Sequence, residues 1–321
     1  MINITELTFT VLISFLLMLI MGPIFIPMLT KFKFGQTIRE EGPKSHMIKS
    51  GTPTMGGIMM IIAILLAVII KVRLNINMVV GLLSIVGFGL IGFLDDFLKI
   101  KNSRNLGLRA YQKILLQIAL SFIIAMFRYK TSINSTQLVV PFTSFVINLG
   151  FMYVPVMMFI IIATVNAVNL SDGLDGLASS ITSVVSVFYL IMAVILFNNI
   201  DVGILSAATF GACLGFLCFN INPAKVFMGD TGSMALGGAV VAFAVFTNTA
   251  LLIPFIGGIY FAEALSVIIQ VIYFKRTGRR IFRMSPLHRH FEQGGWKETK
   301  VVSVFLLAQT ILALISVIAI M

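Results

Sequence analysis

The chain is short of charge, and shortest of acid. Only 12 of its 321 residues are Asp or Glu, against 23 Lys and Arg. Charged residues make up 11% of the chain and hydrophobic ones 59%, where a soluble domain carries about a quarter charged residues. With a mean hydropathy of +1.04, an ordinary soluble domain is excluded. Cysteine is nearly absent. Cys213 and Cys218 lie in one apolar run with no histidine at metal spacing. That pattern excludes a disulfide framework or a Cys/His zinc site and places both as core residues. Low-complexity tracts and strong internal repeats are also missing. No polar stretch is long enough to carry a nucleic-acid-binding face, so no nucleic-acid partner is expected and the net charge of +11 needs another explanation.

Long apolar runs are what the chain has instead. Ten are visible, at about 8–30, 54–70, 78–94, 110–127, 152–168, 176–197, 202–219, 232–248, 250–273 and 301–320, near the roughly 20 residues that cross a bilayer as helix. The first is too long for a signal-peptide core and has no basic leader, so it is kept as a span. The expected fold is an all-α integral membrane protein, a single polytopic domain over 1–321 with ten transmembrane helices. With ten spans the loops alternate between two sides. One set (31–53, 95–113, 166–178, 220–231, 275–300) holds 19 of the 23 Lys and Arg; Lys71, Arg73, Arg128 and Lys130 make up the rest. The positive-inside rule places the basic set in the cytoplasm and both termini outside it. The outward stretch 128–151 has pieces, Val139–Phe142 and Phe145–Ile147, that can form a small hairpin.

Nine of the twelve acids and all three histidines fall in the basic, cytoplasmic loops. Five of those acids, Asp95, Asp96, Asp172, Asp175 and Asp230, sit where apolar runs meet short polar loops. Carboxylates at the edge of hydrocarbon are costly to desolvate, so their placement points to a site opening to that face. Asp95 and Asp96 end the third run. Adjacent carboxylates repel, and a nearby cation relieves this; Mg²⁺, a hard ion, suits oxygen ligands and substrate phosphates. A solvated helix end paired with Lys99 is the plainer reading. The segment Asn166–Leu177 (NAVNLSDGLDGL) is more specific. Asn169, Asp172 and Asp175 share a face if it is helical, and its glycines admit a ligand close to the backbone. Alternatively, Ser171 or Asp172 caps the next helix.

Asn220–Ser233 (NINPAKVFMGDTGS) puts Asp230 at the start of a span, where free N–H groups and the helix dipole suit a phosphate or a metal-bound anion. Asp230 as a simple N-cap is the alternative. Phe227 can stack on a base or anchor the loop in lipid. His288-Arg289-His290 can bind phosphate or move protons, whereas Lys275, Arg276, Arg279 and Arg280 read better as a juxtamembrane segment drawn to anionic lipid. The basic loop carrying Lys44, His46 and Lys49 leads into GTPTMGG at 51–57, which suits phosphate cradling or helix packing. Lys113 can neutralise phosphate or snorkel. Glu263 is the one acid well inside an apolar run.

These motifs carry a resemblance over essentially the whole chain. GTPTMGG at 51–57, GFLDD at 92–96, NAVNLSDGLDGLA at 166–178, NPAKVFMGDTGSMALGG at 222–238 and SPLHRHFE at 285–292 resemble, in order and spacing, the phospho-N-acetylmuramoyl-pentapeptide transferases of the polyprenyl-phosphate N-acetylhexosamine-1-phosphate transferase superfamily. The resemblance implies an active site formed by cytoplasmic loops of a bacterial plasma-membrane enzyme. Undecaprenyl phosphate would attack the β-phosphorus of UDP-N-acetylmuramoyl-pentapeptide, releasing UMP and giving lipid I for peptidoglycan, with Mg²⁺ as cofactor. It assigns the metal to Asp230, and deprotonation of the lipid phosphate to Asp95 and Asp96. It assigns uridine binding to Asn169, Asp172, Gly173, Leu174, Asp175 and Phe227, with Lys49. Asn220, Lys113, His288 and His290 match further functional positions. Two departures stand out. Arg289 replaces the middle of three histidines, so it can bind phosphate but not act as a base near neutral pH, and Ser171 replaces threonine. A homodimer stays open. A sister transferase using UDP-N-acetylglucosamine and a membrane transporter are the competing readings; against transport, the acids lie at one face and not at the bilayer midplane.

Overall fold

The computed structural model describes residues 4–31, 51–71, 75–101, 107–131, 136–143 and 145–320. In chain order the elements are α1 (Ile4–Lys31), α2 (Gly57–Lys71), α3 (Ile76–Lys101), α4 (Ala110–Thr131), β1 (Gln137–Val139), β2 (Val146–Asn148), α5 (Tyr153–Leu170), α6 (Leu177–Met192), α7 (Ile200–Asn220), α8 (Gly229–Phe246), α9 (Ile253–Ile256), α10 (Gly258–Thr277), α11 (Leu287–Gln293) and α12 (Glu298–Ile320). Each of the ten apolar runs is helical over most of its length. Among the described residues nine helices are long and apolar enough to cross a membrane, and α2 is shorter. Its 15 residues reach only ~22 Å at 1.5 Å per residue. The run is shortened at its start because Gly56 and Gly57 donate their N–H groups to the carbonyls of Phe227 and Met228 (2.9 and 3.0 Å), and Phe227 N–H donates to Pro53 (2.8 Å). The ninth run is likewise divided at Gly257 into α9 and α10.

Rows of large apolar side chains point outward, including Phe9, Leu12, Leu16 and Ile20 on α1 and Leu307, Ile311, Leu314 and Ile318 on α12. In water such surface would drive aggregation; against lipid it carries no penalty. The small β1–β2 pair is antiparallel, with Leu138 opposite Ile147; β1 lies two to three residues before, and β2 one residue after, the hairpin pieces read in the sequence. Cys213 is buried as expected, while Cys218 is exposed and both thiols are free. Cys218 lies on an outward face of α7, where its thiol contacts the Leu214 carbonyl at 3.6 Å.

The centre is α8. Every one of its residues except Asp230 is buried. Without a hydrophobic drive between helices in lipid, close packing relies on small residues that let backbones approach. A Cβ on Gly92 of α3 would run into the Asp230 carbonyl, one on Gly238 of α8 into the Ser84 carbonyl, and one on Gly57 of α2 into the backbone of Gly232. Ser84 Oγ donates to the Gly238 carbonyl at 2.7 Å in the same crossing. Packing α3 this tightly on α8 puts the end of one helix, with its two aspartates, beside the start of the other.

Candidate active site

The start of α8 needs acceptors for its free N–H groups. Its N-cap residue, Met228, makes no side-chain cap. Asp96 of α3 does the work from outside. Its Oδ1 accepts from Asp230 N–H at 3.2 Å, and its Oδ2 accepts from Thr231 N–H at 2.9 Å and Thr231 Oγ1 at 2.8 Å. The carboxylate of Asp230 is thereby released from capping its own helix. Gly229 makes room, with φ +70° and a missing Cβ that would crowd Asp96 Oδ2.

Asp230 is clasped by three other helices. Lys113 of α4 donates to its Oδ2 at 2.8 Å, Lys99 of α3 donates to the same oxygen at 3.0 Å, and Asn169 of α5 donates to Oδ1 at 3.1 Å. Asn169 is itself held by Ser233, to which its Nδ2 donates at 2.8 Å. Asp95 completes the group. Its Oδ1 accepts from Leu108 N–H at 2.9 Å and its Oδ2 lies 2.5 Å from Lys99 Nζ. One oxygen from each of Asp95, Asp96 and Asp230 can be chosen so that all lie within 4.8 Å of one another. Hard carboxylate oxygens at this spacing fit a divalent cation such as Mg²⁺. Lys99 does pair with Asp95, but the aspartates are buried, at 4% and 2% exposure, so this is not a solvated helix end. Asp230, with 22% of its side chain exposed, is the member open to a ligand.

The loop between α5 and α6 forms turns at 171–176 and is not helical, so Asn169, Asp172 and Asp175 do not share one helix face. Neither Ser171 nor Asp172 caps α6, whose N-cap is Gly176 at φ +77°. Burial pushes the Asp172 carboxyl well above the usual range, and the negative charges of Asp230, Asp96 and Asp175 add to the shift. Asp175 turns the other way. Its Oδ2 accepts from Asn222 Nδ2 at 3.0 Å and Ala224 N–H at 3.1 Å, and its own N–H donates to Glu298 at 2.6 Å. Asn220, 3% exposed, bridges the same two loops, accepting from Gly176 N–H at 2.9 Å and donating to the Val226 carbonyl at 2.8 Å. Leu174 is buried, and Phe227 is half-buried beside the 51–57 strand-like segment. The Thr54 hydroxyl of that segment is buried with no hydrogen-bond partner among the described residues.

α11 closes over the 171–176 loop. Arg289 donates to the Gly173 carbonyl at 3.1 Å and to Glu292 at 3.0 Å. A Cβ on Gly173 would collide with the His288 imidazole at Nε2, so glycine is needed there for the ring to seat. His290 accepts from Arg283 N–H at 3.1 Å through Nδ1 and packs among Phe282 and Phe291. Lys49, with Lys44 and His46, lies outside the described residues. Thus Asp95, Asp96, Asp230, Lys113 and Asn169 meet directly, Asp172 feels the charge of Asp230 and Asp96, and His288 and Arg289 meet Gly173. Asp175, Asn220 and His290 are engaged in holding loops. Lys99, Thr231, Ser233 and Glu298 were given no place in the site by sequence reasoning; only Lys99, four residues after Asp95, carried a readable signal.

The chain is similar to known proteins over essentially its whole length. A sequence model described as Glycosyl transferase family 4 matches residues 78–248. A phospho-N-acetylmuramoyl-pentapeptide-transferase of Clostridioides difficile (strain 630) is 63% identical over 320 residues, covering 100% of this chain and 99% of that protein. Proteins of the same description from Desulfitobacterium hafniense (96% of each chain covered) and Alkaliphilus metalliredigens (99% of each) are each 50% identical.

Proposed function

Because the chain belongs to the phospho-N-acetylmuramoyl-pentapeptide transferases within glycosyl transferase family 4, we propose that it transfers phospho-N-acetylmuramoyl-pentapeptide from its UDP-linked donor to undecaprenyl phosphate, giving lipid I and UMP. The observation that carries this reading is Asp230, the one residue of α8 that is not buried, held between two lysines and two further aspartates. The site faces the cytoplasm of a bacterial cell membrane, a reading supported by the sequence, in which the loops that carry the site motifs hold 19 of the 23 Lys and Arg.

Phosphoryl transfer depends on positioning and charge neutralisation more than on covalent work by the protein. Lys99 and Lys113 converge on one oxygen of Asp230 and supply the positive charge that receives a diphosphate. Asp230, with Asp95 beside it, would hold Mg²⁺, which when bound stabilises charge developing on the leaving UMP oxygen. Both oxygens of Asp96 are committed to the start of α8, so its part is to position Asp230. Asp95, whose oxygens meet Leu108 N–H and Lys99 and take no part in holding α8, is the member of the pair we assign to receive a proton. A lipid phosphate already carries negative charge at neutral pH, so this base adds modestly. We favour direct in-line attack: an oxygen of the lipid phosphate bonds to the β-phosphorus, and the bond from that phosphorus to the bridging oxygen breaks, releasing UMP. Asp172, Gly173 and Leu174, with Phe227 and Asn169, form the wall for the uridine end, and Arg289 stabilises that wall from α11.

The test is to incubate purified protein with UDP-N-acetylmuramoyl-pentapeptide, undecaprenyl phosphate and Mg²⁺. Lipid I and UMP should form in equal amounts and stop with chelator. Transfer from UDP-N-acetylglucosamine in preference to the muramoyl donor would favour the sister activity. No UMP release from either donor would overturn the transferase reading.

A further inference from the structure

Glu263 lies in the second turn of the membrane-crossing helix α10, where a carboxylate without partners is costly, and it is fully buried at 0% exposure. The inward face of α10 is a polar row: Tyr260, Glu263, Ser266 and Gln270. This row carries the excursion from 278 to 293 that returns α11 to the active site. Gln270 accepts from Ile281 and Phe282 N–H at 3.1 and 3.0 Å and donates to the Phe282 carbonyl at 3.0 Å. Two turns earlier, Glu263 takes the start of α11. Its two oxygens accept from His288 N–H at 3.2 and 3.4 Å, and Oε1 lies 3.1 Å from His288 Nδ1. That second approach is one of ion-pair distance and not of hydrogen-bond alignment; among the described residues Nδ1 has no hydrogen-bond partner, and the Glu263 carboxylate is the charged group beside it. The opposite edge of the ring, Nε2, rests against Gly173, next to Asp172.

We infer that Glu263 is a positioning residue for His288: it keeps a proton on Nδ1 and aims Nε2 at the 172–174 turn where the donor binds. A carboxylate only accepts, so the imidazole nitrogen facing it carries hydrogen. Nε2 is left to meet substrate. The same carboxylate holds the backbone of α11, which fixes Arg289 on the Gly173 carbonyl at the same time. The inference rests on the transferase reading for its consequence in turnover, and on the geometry alone for the state of the ring.

Two measurements test it. With ¹⁵N-labelled histidine, the three histidines of the chain give few imidazole signals, and H288Q identifies the one that belongs to His288. In the wild-type protein that ring should carry hydrogen on Nδ1, and in E263Q, whose amide can present either a donor or an acceptor, it should become a mixture. A wild-type His288 protonated only at Nε2, or a signal unchanged in E263Q, overturns the inference whether or not any variant is active. In the lipid I assay, E263Q should lose about 10- to 100-fold in kcat, the range seen when a histidine loses its orienting partner, with little change in donor KM, and H288Q/E263Q should be no worse than H288Q. Additive losses in the double variant would also overturn it. A wild-type protein that makes no lipid I defeats the transferase reading and leaves the ring measurement to decide this one.

Discussion

Replacing Asp230 by Asn tests the centre of the argument. The side chain keeps its size, and its amide oxygen can still accept from Asn169 or a lysine, so α8 should start as before under the cap of Asp96. Lys99 retains Asp95 at 2.5 Å, and Lys113, with 17% of its side chain exposed, can reach water. The cost to folding is then of order 1 kcal/mol, the scale of a partly solvated ion pair. The cost to chemistry is larger, because the substituted atom is the open carboxylate that the lysines, the neighbouring aspartates and the substrate diphosphate share. Removing one preorganised electrostatic group costs about 10²- to 10³-fold in turnover, and losing the exposed metal-binding carboxylate lies at or beyond the upper end, about 4 kcal/mol at 1.36 kcal/mol per tenfold. The assay is the initial rate of lipid I formation at saturating donor and lipid phosphate, repeated across a Mg²⁺ titration, with melting in detergent as a folding control. We expect turnover at least about 10³-fold lower at every Mg²⁺ concentration and a melting temperature near wild type. Near-wild-type synthesis at saturating Mg²⁺ would show that Asp230 does not hold the metal.

Other outcomes follow from the same geometry. Asp96→Asn should lower both melting temperature and turnover, since one of the two oxygens that the three donors at the start of α8 share becomes an NH₂ group that cannot accept; Asp95→Asn should lower turnover with the smaller loss of stability. Equal melting shifts in the two variants would contradict the division of labour. Gly92→Ala forces a Cβ onto the Asp230 carbonyl and should cost about 1–3 kcal/mol of stability, the scale of overpacking, together with activity; an unchanged melt would show that α3 and α8 can separate at no cost. Asp172→Asn should raise stability in chelator while raising donor KM. The folded protein holds the Asp172 proton more tightly than the unfolded chain does. The gain should therefore be absent below the ordinary carboxylate value, appear as pH rises through it, and level off above the raised folded value. A stability difference that instead grew toward acid pH would reverse the sign of the shift.

The helices were legible because apolar length is a local property: a run near twenty residues long reads as a span whatever surrounds it. The exceptions are instructive. α2 starts late because residues 53–57 pair with 227–228, a contact across some 170 positions that no window of sequence contains. The acids were legible as a group for a related reason, since charge at the edge of hydrocarbon is rare enough to mark a site. Their roles were not. Asp95 and Asp96 are neighbours of one residue type, yet one faces Lys99 and the other caps a helix, because Gly92 lets α3 touch α8 and the helical turn aims their side chains differently. Asp172 and Asp175, three apart with glycines after each, diverge because the loop turns instead of continuing α5.

Glu263 shows the limit most plainly. Composition marks it as an acid out of place, and nothing near it in the chain offers a partner; His288, 25 residues on, arrives only when α11 folds back over the bundle. Sequence by itself determined that this is a helical membrane protein with an acidic, basic-rimmed site of a recognisable family, because hydropathy, charge balance and motif order are written along the chain. Tertiary structure alone decided which carboxylate is open, which caps, and which histidine is held, because those depend on contacts between helix ends, and close contact follows from where glycines let backbones meet.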